Sequence, residues 1–158
     1  MIKKHLTTNK IIITVLLLAV VGYFVYGSIE KKKEEQILLP GTAKVIIGDQ
    51  KFMVALADTP AERTEGLSLT DAVPEDGLLF VFDKDDIEGF WMKDMKYSID
   101  IIWINGAGEI IDINEHVSPD TYPTTFYPPQ PIRYVLETRD GFVREKGIKI
   151  GDIVEIKK

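Results

Sequence analysis

The sequence predicts a mainly β protein: a small antiparallel barrel or sandwich with one or two short helices, preceded by a single transmembrane helix. Three observations predict it. Apolar runs of strand length recur between glycine turns over residues 43–156, with little helical periodicity. A run without any charge, IIITVLLLAVVGYFVYGSI, fills residues 11–29. The 158-residue chain has no cysteine, so its body has to stand on an apolar core rather than on disulfides.

The charge-free run comes first. At about 1.5 Å per residue its 19 residues reach roughly 29 Å as a helix, close to a hydrocarbon core of about 30 Å. Tyr23 and Tyr26 stand near one end, where amphipathic rings favour the interface. The expected partner of residues 11–29 is therefore the lipid bilayer. A cleaved signal peptide, cut before Ser28, is the alternative reading. Three lysines flank the run on each side, and the free amino terminus tips residues 1–10 towards the cytoplasm. The expected order is then a cytoplasmic N-terminus at 1–10, an anchor at 11–29, a charged spacer at 30–42 and an extracytoplasmic β domain at 43–156.

Within the body, AKVII (43–47) and KFMVALA (51–57) read as a hairpin across Gly48-Asp49-Gln50. Thr59 and Glu62 form a capping box with Pro60 at the first helical position, which predicts a short helix over 60–65 stopped by Gly66. GLLFVFD (77–83) reads as a buried strand. SIDIIWI (98–104) and EIIDINE (109–115) flank Asn105-Gly106, a hairpin signal. IRYVLET (132–138) is a further strand, GFVREKG (141–147) holds one helical turn, and GIKIGDIVEI ends the body with a strand or two. SPDTYPTTFYPPQP (118–131) carries five prolines and three aromatics, so it is expected to cross the surface as a stiff extended loop.

VALADTPAERTEGLS, GLLFVF, FWMKDM with IDIIWI, YVLET and GIKIGDIV follow one another in an order that resembles the family called domain of unknown function 192, or uncharacterised protein family 0127. The resemblance spans about residues 43–156. It implies a small, mostly β domain, often behind an export signal or anchor, and implies no activity. The family usually has Asn then Thr where this chain has Asp94 and Met95, and often has an Arg where it has Thr70.

Charge narrows the partners. Residues 1–39 carry +3 and residues 40–158 carry −9, from 13 Lys and Arg against 22 Asp and Glu. A body so acidic is a poor partner for nucleic acid. Thiol catalysis and cysteine-bound metals are excluded by composition. The acidic stretch DKDDIEG fails the calcium-loop pattern, because Ile87 takes the fifth place and the glycine comes one residue late. His116 stands alone in the body and no GxSxG step exists, so neither a metal site nor a serine triad is expected, and no cofactor.

The site candidates centre on GFWMKDMKYSIDIIWI (89–104). Ile99, Ile101 and Trp103 share one face of the strand; Asp100, Ile102 and Ile104 share the other. With both faces apolar the strand is interior, and Asp100 needs a partner: Arg63, Arg133, or backbone amides at the strand's edge. Phe90, Trp91 and Met92 read either as core or as an aromatic wall beside Lys93 and Asp94. Tyr122 and Tyr127 of the proline loop are placed to cover that wall, and Glu137 follows the YVL strand. The ligand-binding set is thus Arg63, Trp91, Lys93, Asp94, Asp100, Tyr122, Tyr127 and Glu137, with no catalytic residue assigned. A binding module for a small polar ligand, glycan or envelope protein is favoured, because no nucleophile, metal set or phosphate loop is present. An acid–base hydrolase using Asp100 with Glu137 or Asp94, and a purely structural envelope component, are the alternatives.

Overall fold

A computed structural model of the protein describes residues 41–74 and 76–158, which belong to one compact unit, Pro40–Lys158. The expected anchor at 11–29 and most of the spacer lie outside the described residues. None of the described helices is long and apolar enough to cross a membrane.

The fold is one curled seven-stranded sheet with short helices. In chain order its elements are β1 (Thr42–Ile47), β2 (Gln50–Ala57), α1 (Pro60–Glu65), β3 (Leu78–Asp86), β4 (Phe90–Trp91), β5 (Ile99–Ile104), β6 (Ile110–Val117), β7 (Thr125–Phe126), β8 (Ile132–Arg139), α2 (Phe142–Lys146) and β9 (Val154–Lys157). The sheet runs β6-β5-β8-β3-β2-β1-β9, and β4 and β7 form a separate two-stranded ribbon. The sheet curls until its outer members meet: Val154 N–H donates to the Gly108 carbonyl at 2.7 Å, and Ile110 N–H to the Asp152 carbonyl at 3.0 Å.

Several expectations are corrected. The sheet is not wholly antiparallel, because β2 and β3 pair in parallel through Ala55–Leu78, Leu56–Leu79 and Ala57–Phe80. The chain leaves β2, turns through α1 and a long loop, and re-enters the sheet beside β2 in the same direction, a crossover that a parallel pair requires. The capping box predicted for α1 is present. Glu62 N–H donates to Thr59 Oγ1 at 3.3 Å, and Thr59 N–H donates to Glu62 Oε2 at 2.9 Å. The first hairpin is tighter than expected, with only Gly48 and Asp49 between Ile47 and its partner Gln50. Gly48 has φ 61°, the left-handed geometry that such turns need. The long stretch 89–104 is not continuous strand: it breaks into β4, a turn and β5. The proline segment is not bare loop either, since its β7 pairs with β4 through Phe90–Phe126 and Trp91–Thr125.

Apolar side chains divide between the two faces of the sheet. Inside the curl, Val45, Val54, Leu79, Ile102, Ile104 and Leu136 pack with Phe142 and Val143 of α2. On the outer face, Leu78, Phe80, Ile99, Ile101, Trp103 and Val135 pack beneath Leu67 and Met92. Every residue of β5 is buried, as its two apolar faces predict. Trp103 is completely enclosed, and its indole N–H donates to Asn114 Oδ1 at 2.7 Å.

Asp100 faces the inner core and is also completely enclosed. Among the described residues no arginine holds it. Its Oδ1 accepts from His116 N–H at 2.9 Å and its Oδ2 from Val143 N–H at 3.0 Å. The second bond caps α2, whose first residue follows Gly141, a glycine with no side chain to do so. The first fixes His116, which sits at φ 55° between β6 residues. Arg133 pairs instead with Asp85 at 2.6 Å, and Arg63 with backbone carbonyls.

Removing the Asp100 carboxylate strands two amide donors, each at a cost of about 1–3 kcal/mol. Asp100→Ala is therefore expected to lower unfolding free energy by roughly 2–6 kcal/mol in urea titration. Its pairing neighbour Thr138 carries a buried hydroxyl with no partner among the described residues. Thr138→Val is expected to raise stability by about 1 kcal/mol. Equal losses in the two variants would contradict these roles.

Candidate functional site

The outer face of the sheet holds a cleft of about 500 Å³ between α1, the end of β3 and the segment from Glu88 to Met95. Its wall begins in the core. Trp103 meets Phe90 edge-to-face with ring centroids 5.4 Å apart, and Phe90 meets Phe80 at 4.8 Å and Phe82 at 6.5 Å. These T-shaped contacts, in the geometry that aromatic quadrupoles favour, fix the ring orientations. Gly89 makes room for the flank: a Cβ there would lie 2.6 Å from the Tyr127 ring and 2.8 Å from Thr125. β7 could not approach β4 past any larger residue.

Arg63 supplies the opposite edge. α1 turns it back over β3, where its Nη1 donates to the carbonyls of Asp58 at 2.6 Å and Val81 at 2.7 Å. Its guanidinium lies 5.4 Å from the Phe82 ring centre, a cation–π distance. Among the described residues neither Arg63 nor Lys93 has a carboxylate within salt-bridge distance. Glu65, Glu88 and Asp94 also line the cleft, and Asp94 holds φ 58°, an uncommon backbone geometry for a residue with a side chain.

Glu137 forms part of the lining from β8. It is 6 % exposed, and its pairing neighbours on either side are Leu78 and Ile101, both buried and apolar. No side-chain hydrogen bond reaches it among the described residues, and burial alone pushes its carboxyl up to about 8. At about 8 the group is mostly protonated at neutral pH, so it offers both a donor and an acceptor to the cleft. Nearby, the Tyr97 hydroxyl is raised first by burial and bonds to the Thr70 hydroxyl.

Of the expected site residues, the structure brings together Arg63, Trp91, Lys93, Asp94 and Glu137. Asp100 lies apart, on the inner face. Tyr122 and Tyr127 do not line the cleft but stand outside it, and Tyr122 meets Trp91 edge-to-face at 6.2 Å. Trp91 is 56 % exposed, whereas the adjacent Met92 is buried, so the alternatives of wall and core divide between neighbouring residues. Phe90 lines the cleft as the wall reading expected, whereas Phe80, Phe82 and Met95 were not foreseen as lining. The alternation of Phe80 and Phe82 along β3 was the available signal, since it puts both rings on one face.

These features define a class: a curled β-sheet domain with an aromatic-walled cleft on its outer face. The particular family follows from comparison. The family model for DUF192, described as an uncharacterized ACR, matches residues 43–156, and the chain belongs to that family. No curated protein matches the chain. Two crystal structures are similar to it. One is of a candidate transcription regulator from Sinorhizobium meliloti 1021, with 29% identity and a TM-score of 0.64, covering 72% of this chain and 91% of that one. The other is of a protein of unknown function from Novosphingobium aromaticivorans DSM 12444, with 28% identity and a TM-score of 0.64, covering 72% of this chain and 83% of that one.

The Glu137 shift has a definite sign. A carboxyl raised from 4.5 to about 8 by folding favours the protonated native state, so its contribution is complete below pH 4.5 and is lost as pH rises to about 8. The stability of the wild type relative to Glu137→Gln should fall by about 1.4 kcal/mol per pH unit across that interval. Urea titrations of both proteins between pH 5 and 9 test this, and a difference that stays flat would contradict it.

Proposed function

We propose that this protein is a membrane-anchored, extracytoplasmic binding module that takes a small polar ligand into the cleft beside Glu137. The observation that carries the reading is the Glu137 carboxyl, which lines the cleft without a side-chain hydrogen-bond partner among the described residues. A ligand that displaces water from this carboxyl has to supply a hydrogen bond in its place, which favours a polar occupant. Convergent polar groups on an aromatic surface are the ordinary composition of a small-molecule site. Arg63 is already held by two carbonyls and a ring, so little side-chain entropy remains to be lost on binding.

Location rests on residues 11–29, whose length and lack of charge suit a bilayer-spanning helix, with the acidic body outside the cytoplasm. A gene-regulatory role of the kind named for the Sinorhizobium protein draws no support from a body carrying −9, which would be repelled by phosphates. An acid–base hydrolase is a second reading, favoured by one observation: Glu137 holds its proton at neutral pH, as a general acid must, and Asp94 lines the same cleft. Its other pairing, Asp100 with Glu137, is weakened because the two face opposite sides of the sheet.

Two measurements test the proposal. Protease added outside intact cells should digest the body, and digestion from the cytoplasmic side alone would contradict the orientation. Saturation-transfer NMR on the full chain, in micelles of a detergent without a sugar headgroup, should detect binding from a panel of monosaccharides, amino acids and dicarboxylic acids. Trp91→Ala and Glu137→Leu should each weaken that binding by about tenfold, the loss expected from about 1.4 kcal/mol. Absence of binding from every class would contradict the cleft reading.

A further inference from the structure

The lining of the cleft narrows the chemistry of its occupant. With Glu137 protonated, the ionised groups around it are Arg63 and Lys93 against Glu65, Glu88 and Asp94. A strongly cationic ligand meets the first two, and a strongly anionic one meets the other three. A ligand rich in hydroxyls suits both sets, because each hydroxyl donates to a carboxylate and accepts from a guanidinium or ammonium. Glu137 likewise offers one donor and one acceptor. Aromatic rings supply much of the remaining wall, and the face of a single ring suits the C–H face of a sugar.

A second feature lies outside the cleft. Trp91 lines the cleft yet remains 56 % exposed, and Tyr122 buttresses it edge-to-face at an interplanar angle of 69°. Tyr122 is itself 47 % exposed and Tyr127 61 %. An aromatic ledge therefore continues from the rim onto the surface, held by the pairing of β4 with β7. A single small molecule in the cleft leaves this ledge unused; a chain of rings covers it.

We propose that the occupant is an uncharged oligosaccharide, with one sugar ring in the cleft hydrogen-bonded to Glu137 and the next stacked on the Trp91–Tyr122 ledge. This rests on the ligand-cleft reading and specifies the ligand class and a second subsite. Neither subsite alone predicts a preference for longer chains; together they do.

The test is isothermal titration calorimetry on the full chain in sugar-free micelles. The probes are cellotetraose, maltotetraose and chitotetraose in its N-acetylated form, their monosaccharides, and tetragalacturonate as the anionic control. At least one neutral tetrasaccharide should bind about tenfold more tightly than its own monosaccharide and than tetragalacturonate. Tyr122→Ala should weaken that tetrasaccharide about three- to tenfold and leave the monosaccharide unchanged. Glu137→Gln, which keeps shape and neutrality but alters the donor, should weaken both. Equal affinity for one ring and four, tighter binding of tetragalacturonate, or a Tyr122→Ala loss shared equally by monosaccharide would each overturn the assignment. If no saccharide binds while amino acids or dicarboxylic acids do, the saccharide class is wrong and the cleft reading stands. If nothing binds, both are wrong.

Discussion

The pairing of β5 with β8 is the constraint on which the rest depends. It sets Asp100 beside Thr138 and Ile101 beside Glu137, on strands whose side chains alternate between two apolar faces. The even-numbered acid therefore looks into the curl, and the odd-numbered one looks out to the cleft. A shift of one residue would put each carboxyl on the other face and would drive Trp103 into the inner core. The hydrogen bond from the Trp103 indole to Asn114 opposes such a shift from the β6 side. Close approach opposes it from the β3 side, where a Cβ on Gly77 would lie 2.6 Å from the Glu137 carbonyl oxygen.

The same sheet treats two buried acids in opposite ways. Asp100 is surrounded by donors: the amides of His116 and Val143 point at its two oxygens, and it joins β6 and the start of α2 to the central strand. Glu137 is flanked by Leu78 and Ile101 and has no side-chain hydrogen bond among the described residues. Physical chemistry assigns them different tasks. A carboxylate that accepts two buried amides holds the fold together. A carboxyl kept neutral by its surroundings detracts from the fold and retains its hydrogen-bonding capacity for something else. The aromatic contacts that run from Trp103 through Phe90 to Phe80 and Phe82 build a wall of the cleft that Glu137 lines.

Much of the fold was legible because its signals are local. The Gly48 turn, the Thr59–Glu62 capping box and the two-faced burial of Ile99–Ile104 are each written within about ten residues. What the sequence concealed is non-local. The parallel match of β2 with β3 depends on how the chain returns after α1, and nothing in either strand records it. Asp100 could be seen to need a partner, but one of its donors lies 43 residues away, in a helix start whose preceding glycine gives no side-chain clue. Glu137 read as an acid following the YVL strand. Its isolation follows from Leu78 and Ile101, which only the sheet order brings to its sides. Trp91 and Met92 are adjacent and both apolar, yet Trp91 ends the two-residue β4 at the surface while Met92, just past it, packs into the outer-face core.

The central claim is that Glu137 is a neutral acid at physiological pH, held so by apolar packing. Carbon-13 NMR of the glutamate side-chain carboxyls, with the Glu137 resonance assigned by its loss in Glu137→Gln, measures this directly. The account predicts a titration midpoint near 8. A midpoint near 4.5, the value of an ordinary glutamate, would contradict it.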